Sequence, residues 1–317
     1  MRKKDLVMAL MVVIIWGVNF TVIRLGLNGV PSMLLAALRY TFVLPALFFV
    51  KRPKIDMKYA IAYGLAVGVG QFSCLFYAMQ IGMPAGLSSI TLQSAAFMTP
   101  LLAFLFLHES IKPKQIIGLF IAAIGLAFIA SNAGSITAVP LPALLLTLSA
   151  AFFWALSNIV LKFASNKAEA LGEKMDMLGV VVWTSLVPPI PLYIFSFILD
   201  GPDVMLKTVT SLSAISIFSI FYLAFGATIF GYGTWSVLLG KYPASKIAPL
   251  SLMVPVTGLL SSQIILKEQL STSQWTGGFI ILLGLIFSTL PWFLARACGR
   301  ARQKAQRLFD HTASSLR

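Results

Sequence analysis

The sequence predicts an all-α membrane protein of ten transmembrane helices arranged as two inverted five-helix repeats, from its composition and an internal duplication. Of 317 residues, 58% are hydrophobic and 11% are charged, and the mean hydropathy is +0.90, values that exclude a water-soluble globular domain. A window of about 20 apolar residues, the length that crosses a bilayer, selects ten spans. They lie near 6–25, 32–50, 59–80, 86–107, 114–131, 142–163, 177–199, 213–238, 246–266 and 274–294.

The second half of the chain repeats the first. Each half holds five spans, an odd number, so the second half must cross the membrane upside down, an arrangement typical of transporters. We therefore divide the chain into a first repeat (1–131), a linker (132–141), a second repeat (142–294) and a basic cytoplasmic tail (295–317). Four matches recur 159 residues apart: Pro84-Ala85 with Pro243-Ala244, Glu109 with Glu268, Gly118 with Gly277, and Gly125 with Gly284.

Earlier matches have a shorter offset. Trp16 and Arg24 correspond to Trp154 and Lys162, which lie 138 residues later. The second half therefore carries an insertion between its first and third spans, and we expect it in loops at 164–176 and 200–212, because loops tolerate insertions best.

Basic residues set the orientation. If the N-terminus is cytoplasmic, all of the 24 lysines and arginines except Arg24, Arg39, Lys207 and Lys267 fall on the inner side. The positive-inside rule then places both termini in the cytoplasm. The net charge of +14 is spread over short loops and the tail, so we expect the lipid bilayer and no nucleic acid as a partner.

Three motifs carry a resemblance to a known family. Trp16-Gly17-x-Asn19-Phe20, Leu38-Arg39-Tyr40 and the repeated Glu109-x8-Gly118-x6-Gly125 resemble the EamA family of the drug/metabolite transporter (DMT) superfamily over nearly the whole chain. The resemblance implies a central cavity open to one side at a time and export of small metabolites. Segments that resemble the branch exporting O-acetylserine and cysteine are Gly82-Met83-Pro84-Ala85-Gly86-Leu87, Leu92-Gln93, Leu199-Asp200-Gly201 and Ala248-Pro249-Leu250-Ser251-Leu252.

Polar and large aromatic side chains deep in apolar spans are the candidates for a substrate site, because lipid rejects polar groups. Trp16 and Asn19 share a helix face, and Trp154 and Asn158 form the corresponding cluster in the second half. Gln93 is the first choice, because it lies in a segment that resembles the O-acetylserine and cysteine exporters. Hydrogen bonding or packing between helices is the alternative role. The substrate-binding candidates are Trp16, Asn19, Gln71, Tyr77, Gln93, Trp154, Asn158 and Tyr232.

Ionisable residues are scarce inside the spans. Arg39 lies well inside the second span, where it either recognises a substrate carboxylate through paired hydrogen bonds or extends outward to helix-end carbonyls; we expect the structural role first. Glu109 and Glu268 fall at span ends and are expected to form a cap or a salt bridge. No Asp, Glu or His lies deep in a span, so proton antiport is a hypothesis with little support from the sequence.

Together, the residue patterns and the resemblance predict an exporter of a bacterial-type inner membrane. It would export small amino-acid metabolites, similar to O-acetylserine and cysteine, by alternating access. The alternatives are an exporter of aromatic amino acids, drugs or other apolar metabolites and, from another class, a passive amino-acid channel. The chain lacks H-E-x-x-H, G-x-S-x-G and G-x4-G-K-[ST] motifs, so we expect no enzyme, catalytic residue, metal or cofactor. The expected partners are lipid and a small-molecule substrate; the sequence leaves the oligomeric state open.

Overall fold

The computed structural model describes residues 1–130, 139–173, 175–242, 247 and 250–289. Nearly all of them are helical, and the described part contains no strand. The first half comprises α1 (Lys3–Leu27), α2 (Ser32–Thr41), α3 (Met57–Gln80), α4 (Ala85–Leu107) and α5 (Pro113–Ala130). The second half comprises α6 (Leu141–Ala170), α7 (Met177–Thr184), α8 (Pro189–Asp200), α9 (Pro202–Thr210), α10 (Ala214–Lys241), α11 (Val254–Leu266) and α12 (Thr272–Thr289).

The lengths of these helices match a membrane protein. Six of the described helices, α1, α3, α4, α5, α6 and α10, are long and apolar enough to cross a bilayer, and the bent pair α7 and α8 makes a seventh. Three shorter apolar helices are α2 with its extension to Phe48, α11 and α12. The prediction of an all-α membrane protein is confirmed.

Large apolar side chains cover much of the outer surface. Phe48 and Phe49 are 90% and 88% exposed, and Ile264 is 75% exposed. Water would disfavour such a surface, whereas lipid tails solvate it. These side chains therefore belong to the lipid-facing side of the bundle.

Prolines explain where the predicted spans differ from the observed helices. The second span is α-helical only to Thr41 and continues as a 3-10 turn from Leu44 to Phe48, because Pro45 lacks an N–H and its ring clashes with the carbonyl of Thr41. The seventh span breaks between α7 and α8 with a 40° bend at the consecutive prolines Pro188 and Pro189.

The expectation of a loop across 200–212 is wrong. Residues Pro202–Thr210 form the exposed helix α9. Pro202 in the first turn, Asp203 near the N-terminus and Lys207 in the last turn are all favourable placements for a helix. Gly201, with φ of +80°, turns the chain from α8 into α9.

Matching local features recur in the two halves at the sequence offset of 159. His108 and Lys267 end α4 and α11 with left-handed backbones, at φ of 55° and 54°. Gln115 accepts a hydrogen bond from the backbone N–H of Lys112 at 2.8 Å, and Gln274 accepts one from Ser271 at 3.0 Å. The helix that forms the third predicted span of each half also contains a π-helical segment, Gly64–Gln71 in α3 and Tyr222–Phe230 in α10.

The last helices of the two halves, α5 and α12, pack on each other through small residues. A Cβ at Gly125 would lie 2.6 Å from the carbonyl oxygen of Gly277, and a Cβ at Gly118 would lie 2.9 Å from that of Gly284. The earlier glycine of α5 therefore meets the later glycine of α12, so the two helices cross antiparallel. Close backbone approach through small residues is how helices associate in membranes.

Candidate functional site

A buried arginine lies between the two halves of the bundle. Arg39 on α2 is 3% exposed, and its Nη2 donates a hydrogen bond to Thr228 Oγ1 on α10 at 3.1 Å. The guanidinium carbon lies 4.0 Å from the ring centre of Phe72 on α3, within range of a cation–π interaction. Placing a charge at this depth in a membrane costs about 2.5–3.5 kcal/mol on insertion scales. A buried arginine therefore indicates either a functional role or a strong structural contact.

Arg39 lines a cavity that both halves build. The first half supplies residues of α2 and α3, and the second half supplies residues of α7, of the α7–α8 bend and of α10. These helices are counterparts in the duplicated sequence, so the cavity lies where the halves face each other. The lining residues are Arg39, Tyr40, Tyr63, Gly64, Val67, Gly68, Phe72, Val181, Thr184, Ser185, Pro188, Thr228 and Tyr232.

Two glycines of α3 set the width of this cavity. A Cβ at Gly64 would lie 2.9 Å from the carbonyl oxygen of Thr184, and one at Gly68 would overlap the ring of Pro188. Both glycines lie in the π-helical segment of α3, and π-helical turns occur often at functional sites. The α3 backbone therefore runs directly against the α7–α8 bend.

The cavity is small. Its volume of ≈ 20 Å³ is the space of about one water molecule. Any molecule larger than water would need more room, so its binding there would require the surrounding helices to separate. The π-helical segments and the α7–α8 bend, all beside the cavity, are the local irregularities that such a movement can use.

Trp16 lies next to the cavity, in an aromatic cluster with Tyr232 and Trp235. Its ring centre lies 5.3 Å from that of Tyr232 and 5.2 Å from that of Trp235. Its indole Nε1 donates a hydrogen bond to the carbonyl oxygen of Ala227 at 2.9 Å, within the π-helical segment of α10. Trp16 therefore supports Tyr232, which lines the cavity.

The other sequence candidates lie elsewhere in the bundle. All eight binding candidates are described, and one of them, Tyr232, lines the cavity. Asn158 donates a hydrogen bond to Thr99 at 3.4 Å, between α6 and α4. Asn19 and Gln71 are buried, and their side-chain oxygens have no partner within the described part of the chain. Tyr77, Gln93 and Trp154 are partly buried away from the cavity.

The structure shows where the Arg39 side chain points, while its expected recognition of a substrate carboxylate stays a prediction. The outward extension to helix-end carbonyls is wrong, because the side chain points across to α10 and is enclosed by Phe72 and Thr228. Sequence reasoning missed Tyr63, Thr184 and Thr228 as lining residues. The signal that could have found them is a hydroxyl inside an apolar span. That signal is ambiguous, because the hydroxyls of Thr184 and Thr228 also donate hydrogen bonds to backbone carbonyls of their own helices.

One end of the bundle is held by a carboxylate from α11. Glu268, which follows the left-handed Lys267, accepts hydrogen bonds from the backbone N–H groups of Ala85 at 2.7 Å and Gly86 at 3.0 Å. These N–H groups begin α4 and lack partners inside that helix, and Pro84 before them has no side-chain acceptor. Glu268 thus caps a helix of the first half, whereas Glu109, its sequence counterpart, is exposed.

The opposite end is held by Asp5 at the start of α1. The Asp5 carboxylate, 1% exposed, accepts a hydrogen bond from Tyr242 Oη at 2.7 Å and lies 3.5 Å from Lys241 Nζ. Arg2 Nε is 3.9 Å away. This buried acid, which sequence analysis did not select, fixes the start of α1 to the end of α10. Among the described residues, no three His, Cys, Asp or Glu side chains are placed to hold a metal ion.

Comparison with known proteins gives close relatives. The model of the EamA-like transporter family matches residues 3–131 and 141–290. A "probable amino-acid metabolite efflux pump" of Escherichia coli (strain K12) is 41% identical over 295 residues, covering 92% of this chain and 97% of that protein. A protein of the same name from Salmonella typhimurium is 40% identical over 297 residues, covering 93% and 98%. One protein of known crystal structure shares the fold, with a TM-score of 0.58 and 17% identity over 94% of this chain and 99% of that chain.

Proposed function

The chain belongs to the EamA-like transporter family, and we propose that it exports small amino-acid metabolites, similar to O-acetylserine and cysteine, across a bacterial inner membrane. The observation that carries this proposal is the similarity, along nearly the whole length, to relatives named probable amino-acid metabolite efflux pumps. The family also makes the chain a transporter that resides in a lipid bilayer.

We propose further that ten helical segments span the bilayer as two inverted repeats, 1–131 and 142–294, with 132–141 between them and a basic tail at 295–317. The short apolar helices α2, α11 and α12 then add to the six long helices and the bent pair. The antiparallel crossing of α5 and α12 at Gly125 and Gly277 supports the inversion, because equivalent helices of inverted repeats run in opposite directions. Both termini would lie in the cytoplasm, as the distribution of lysines and arginines indicates.

The cavity around Arg39 is our proposed transport site. It lies about midway along α3 and α10, between counterpart helices of the two halves, where transporters built from inverted repeats hold their substrates. Tyr232 would contact the substrate, and Trp16 would hold the Tyr232 ring in position. Asn19, Gln71, Tyr77, Gln93, Trp154 and Asn158 remain proposed binding residues for a more open state.

We propose alternating access as the mechanism, and it is supported by how the bundle is held at its two ends. Glu268 joins α11 to α4 at one end, and Asp5 joins α1 to α10 at the other. With both contacts formed, the cavity has room for about one water molecule. We infer that the Glu268 contact opens when the cavity faces outward and that the Asp5 contact opens when it faces inward. Proton antiport stays a hypothesis about the energy source.

A second candidate, export of aromatic amino acids or other apolar metabolites, is favoured by the aromatic lining. Tyr40, Tyr63, Phe72 and Tyr232 all face the cavity, and their rings would suit a flat apolar ligand. Competition by unlabelled phenylalanine and tryptophan against labelled cysteine separates the two candidates.

The experiment that tests the proposed function is efflux of labelled O-acetylserine and cysteine from cells that express the chain. We expect faster efflux than from cells with an empty vector, and slower efflux with Gln93→Ala if that side chain contacts the substrate. Gly240→Ala, at a position where no described atom outside the neighbouring residues and the helix's own backbone lies within 4 Å of an added Cβ, is the matched control. Efflux equal to the empty vector, with the protein in the membrane, would remove this substrate assignment; efflux unchanged by an uncoupler would remove proton antiport.

A further inference from the structure

The cavity holds a positive charge that the surrounding protein leaves uncompensated. Arg39 is almost completely buried, and none of the thirteen described residues that line the cavity is acidic. Guanidinium nitrogens carry five N–H donors, yet Nε and Nη1 of Arg39 have no hydrogen-bond partner within the described residues. A charge kept unpaired at membrane depth is the mark of a site that a ligand completes.

Neutral polar groups surround this charge. Tyr63 and Tyr232 line the cavity, and each carries a hydroxyl that can donate a hydrogen bond to an anionic ligand. Phe72 lies against the guanidinium at 4.0 Å and Thr228 accepts from Nη2, so Arg39 is fixed in place with two nitrogens left over. Nη2 keeps a second N–H, so each of its edges with Nε or Nη1 offers two N–H groups in the planar fork that pairs with a carboxylate. A carboxylate is the anion that amino-acid metabolites share.

We propose that Arg39, with the hydroxyls of Tyr63 and Tyr232, is the subsite for the carboxylate of the transported molecule, and that the carboxylate is the required recognition group. This subsite rests on the proposed function, and it specifies that the exporter selects its substrates by their carboxylate. No described lining residue offers a carboxylate to a substrate ammonium group, which finds hydroxyls and ring faces instead. Small carboxylates without an amine therefore bind, whereas amines without a carboxylate are repelled by Arg39.

Three small thiols test this rule because they differ only in charged groups. Cysteine has a carboxylate and an amine, 3-mercaptopropionate has only the carboxylate, and cysteamine has only the amine. Each is added under reducing conditions to the purified full-length protein in detergent, and the rise in melting temperature gives binding. The same compounds compete with efflux of labelled cysteine from cells.

The variants separate recognition from stability. Arg39→Met removes the charge and Arg39→Lys keeps it without the planar fork. Arg24→Met is the matched control, because Arg24 is also partly enclosed in the bundle and donates to a backbone carbonyl, that of Met79, at 2.7 Å, but does not line the cavity. We expect Arg39→Met to weaken cysteine and 3-mercaptopropionate binding ~10-fold or more, the factor that corresponds to about 1.4 kcal/mol, and Arg24→Met to leave the order of preference unchanged.

The binding results test the carboxylate subsite, and the efflux results test the proposed function. Binding of cysteine and 3-mercaptopropionate but not cysteamine, lost in Arg39→Met and partly kept in Arg39→Lys, supports the subsite. Cysteamine binding as well as cysteine, or an Arg39→Met protein that folds and keeps the wild-type preference, overturns it even if cysteine efflux persists. Carboxylate binding without any cysteine efflux supports the subsite and overturns the proposed function, and the absence of both overturns both.

Discussion

Gly125 of α5 and Gly277 of α12 face each other so closely that neither has room for a side chain. A Cβ on Gly125 would lie 2.6 Å from the carbonyl oxygen of Gly277, and a Cβ on Gly277 would lie 2.5 Å from that of Gly125. The contact is reciprocal, as expected when two copies of one helix cross on a two-fold axis. It joins the last helices of the two halves.

Gly125→Ala is therefore expected to destabilise the protein. An added Cβ must push α5 and α12 apart, and overpacking of a tight contact costs about 1–3 kcal/mol. We expect a lower melting temperature in detergent. Gly240→Ala, in a helix with open space around it, should be neutral or stabilising because alanine favours helices. Equal melting temperatures for Gly125→Ala and the wild type would argue against the close crossing.

Loss of the Glu268 carboxylate is expected to loosen the start of α4. Glu268→Leu leaves the N–H groups of Ala85 and Gly86 without their acceptor, and the loss of a helix cap costs about 0.5–2 kcal/mol. Hydrogen exchange of a peptide that covers 84–91 should become faster. Glu169→Leu, at an exposed position of α6, is the control and should leave that exchange rate as it is. An unchanged rate in Glu268→Leu would show that the contact does not hold this end.

Removal of the Tyr242 hydroxyl is expected to weaken the other end of the bundle. Tyr242→Phe takes away the hydrogen bond of 2.7 Å to the buried Asp5 carboxylate. A buried acceptor that loses a partner costs about 1–3 kcal/mol, so the melting temperature should fall. Tyr59→Phe, at a partly buried tyrosine of α3 that does not contact Asp5 in the described structure, provides the comparison. If both variants melt at the wild-type temperature, Asp5 does not depend on Tyr242.

Thr228→Val is expected to disturb Arg39 without changing the shape of the cavity. Valine has nearly the same volume but no acceptor for Arg39 Nη2, so a buried charged donor loses its partner, at a cost of about 1–3 kcal/mol or more. Thr228→Ser keeps the hydroxyl and should stay close to wild-type stability. The measurement is the melting temperature of both variants; a Thr228→Val protein as stable as Thr228→Ser would mean that this hydrogen bond contributes little.

The positions of the helices could be predicted because lipid imposes a simple rule, a run of about 20 apolar residues for each span. The break between α7 and α8 was not predicted, because the apolar run 177–199 continues across Pro188 and Pro189. The helix α9 was missed because an exposed amphipathic helix and a polar loop have similar composition over nine residues.

The site was predicted less well than the helices. Arg39 and Tyr232 were selected because a charge or a large polar aromatic deep in a span is unusual. Gln93 lies in a 3-10 turn at Leu92–Ser94 that interrupts α4, and no residue of α4 is among the described residues that line the cavity. Its role in binding stays a prediction. Which face of a helix meets the cavity depends on packing between distant segments, and the α-helical period alone does not carry that information.

The most direct test of the account is counterflow with the purified protein in liposomes. Vesicles preloaded with unlabelled cysteine are diluted into a trace of labelled cysteine under reducing conditions, and uptake of label is followed with time. A carrier whose one site faces either side alternately should show uptake that is faster than in empty vesicles, saturates with cysteine and overshoots its final level. Uptake that is the same with and without preloading, never overshoots and rises linearly with concentration would contradict alternating access and identify a channel.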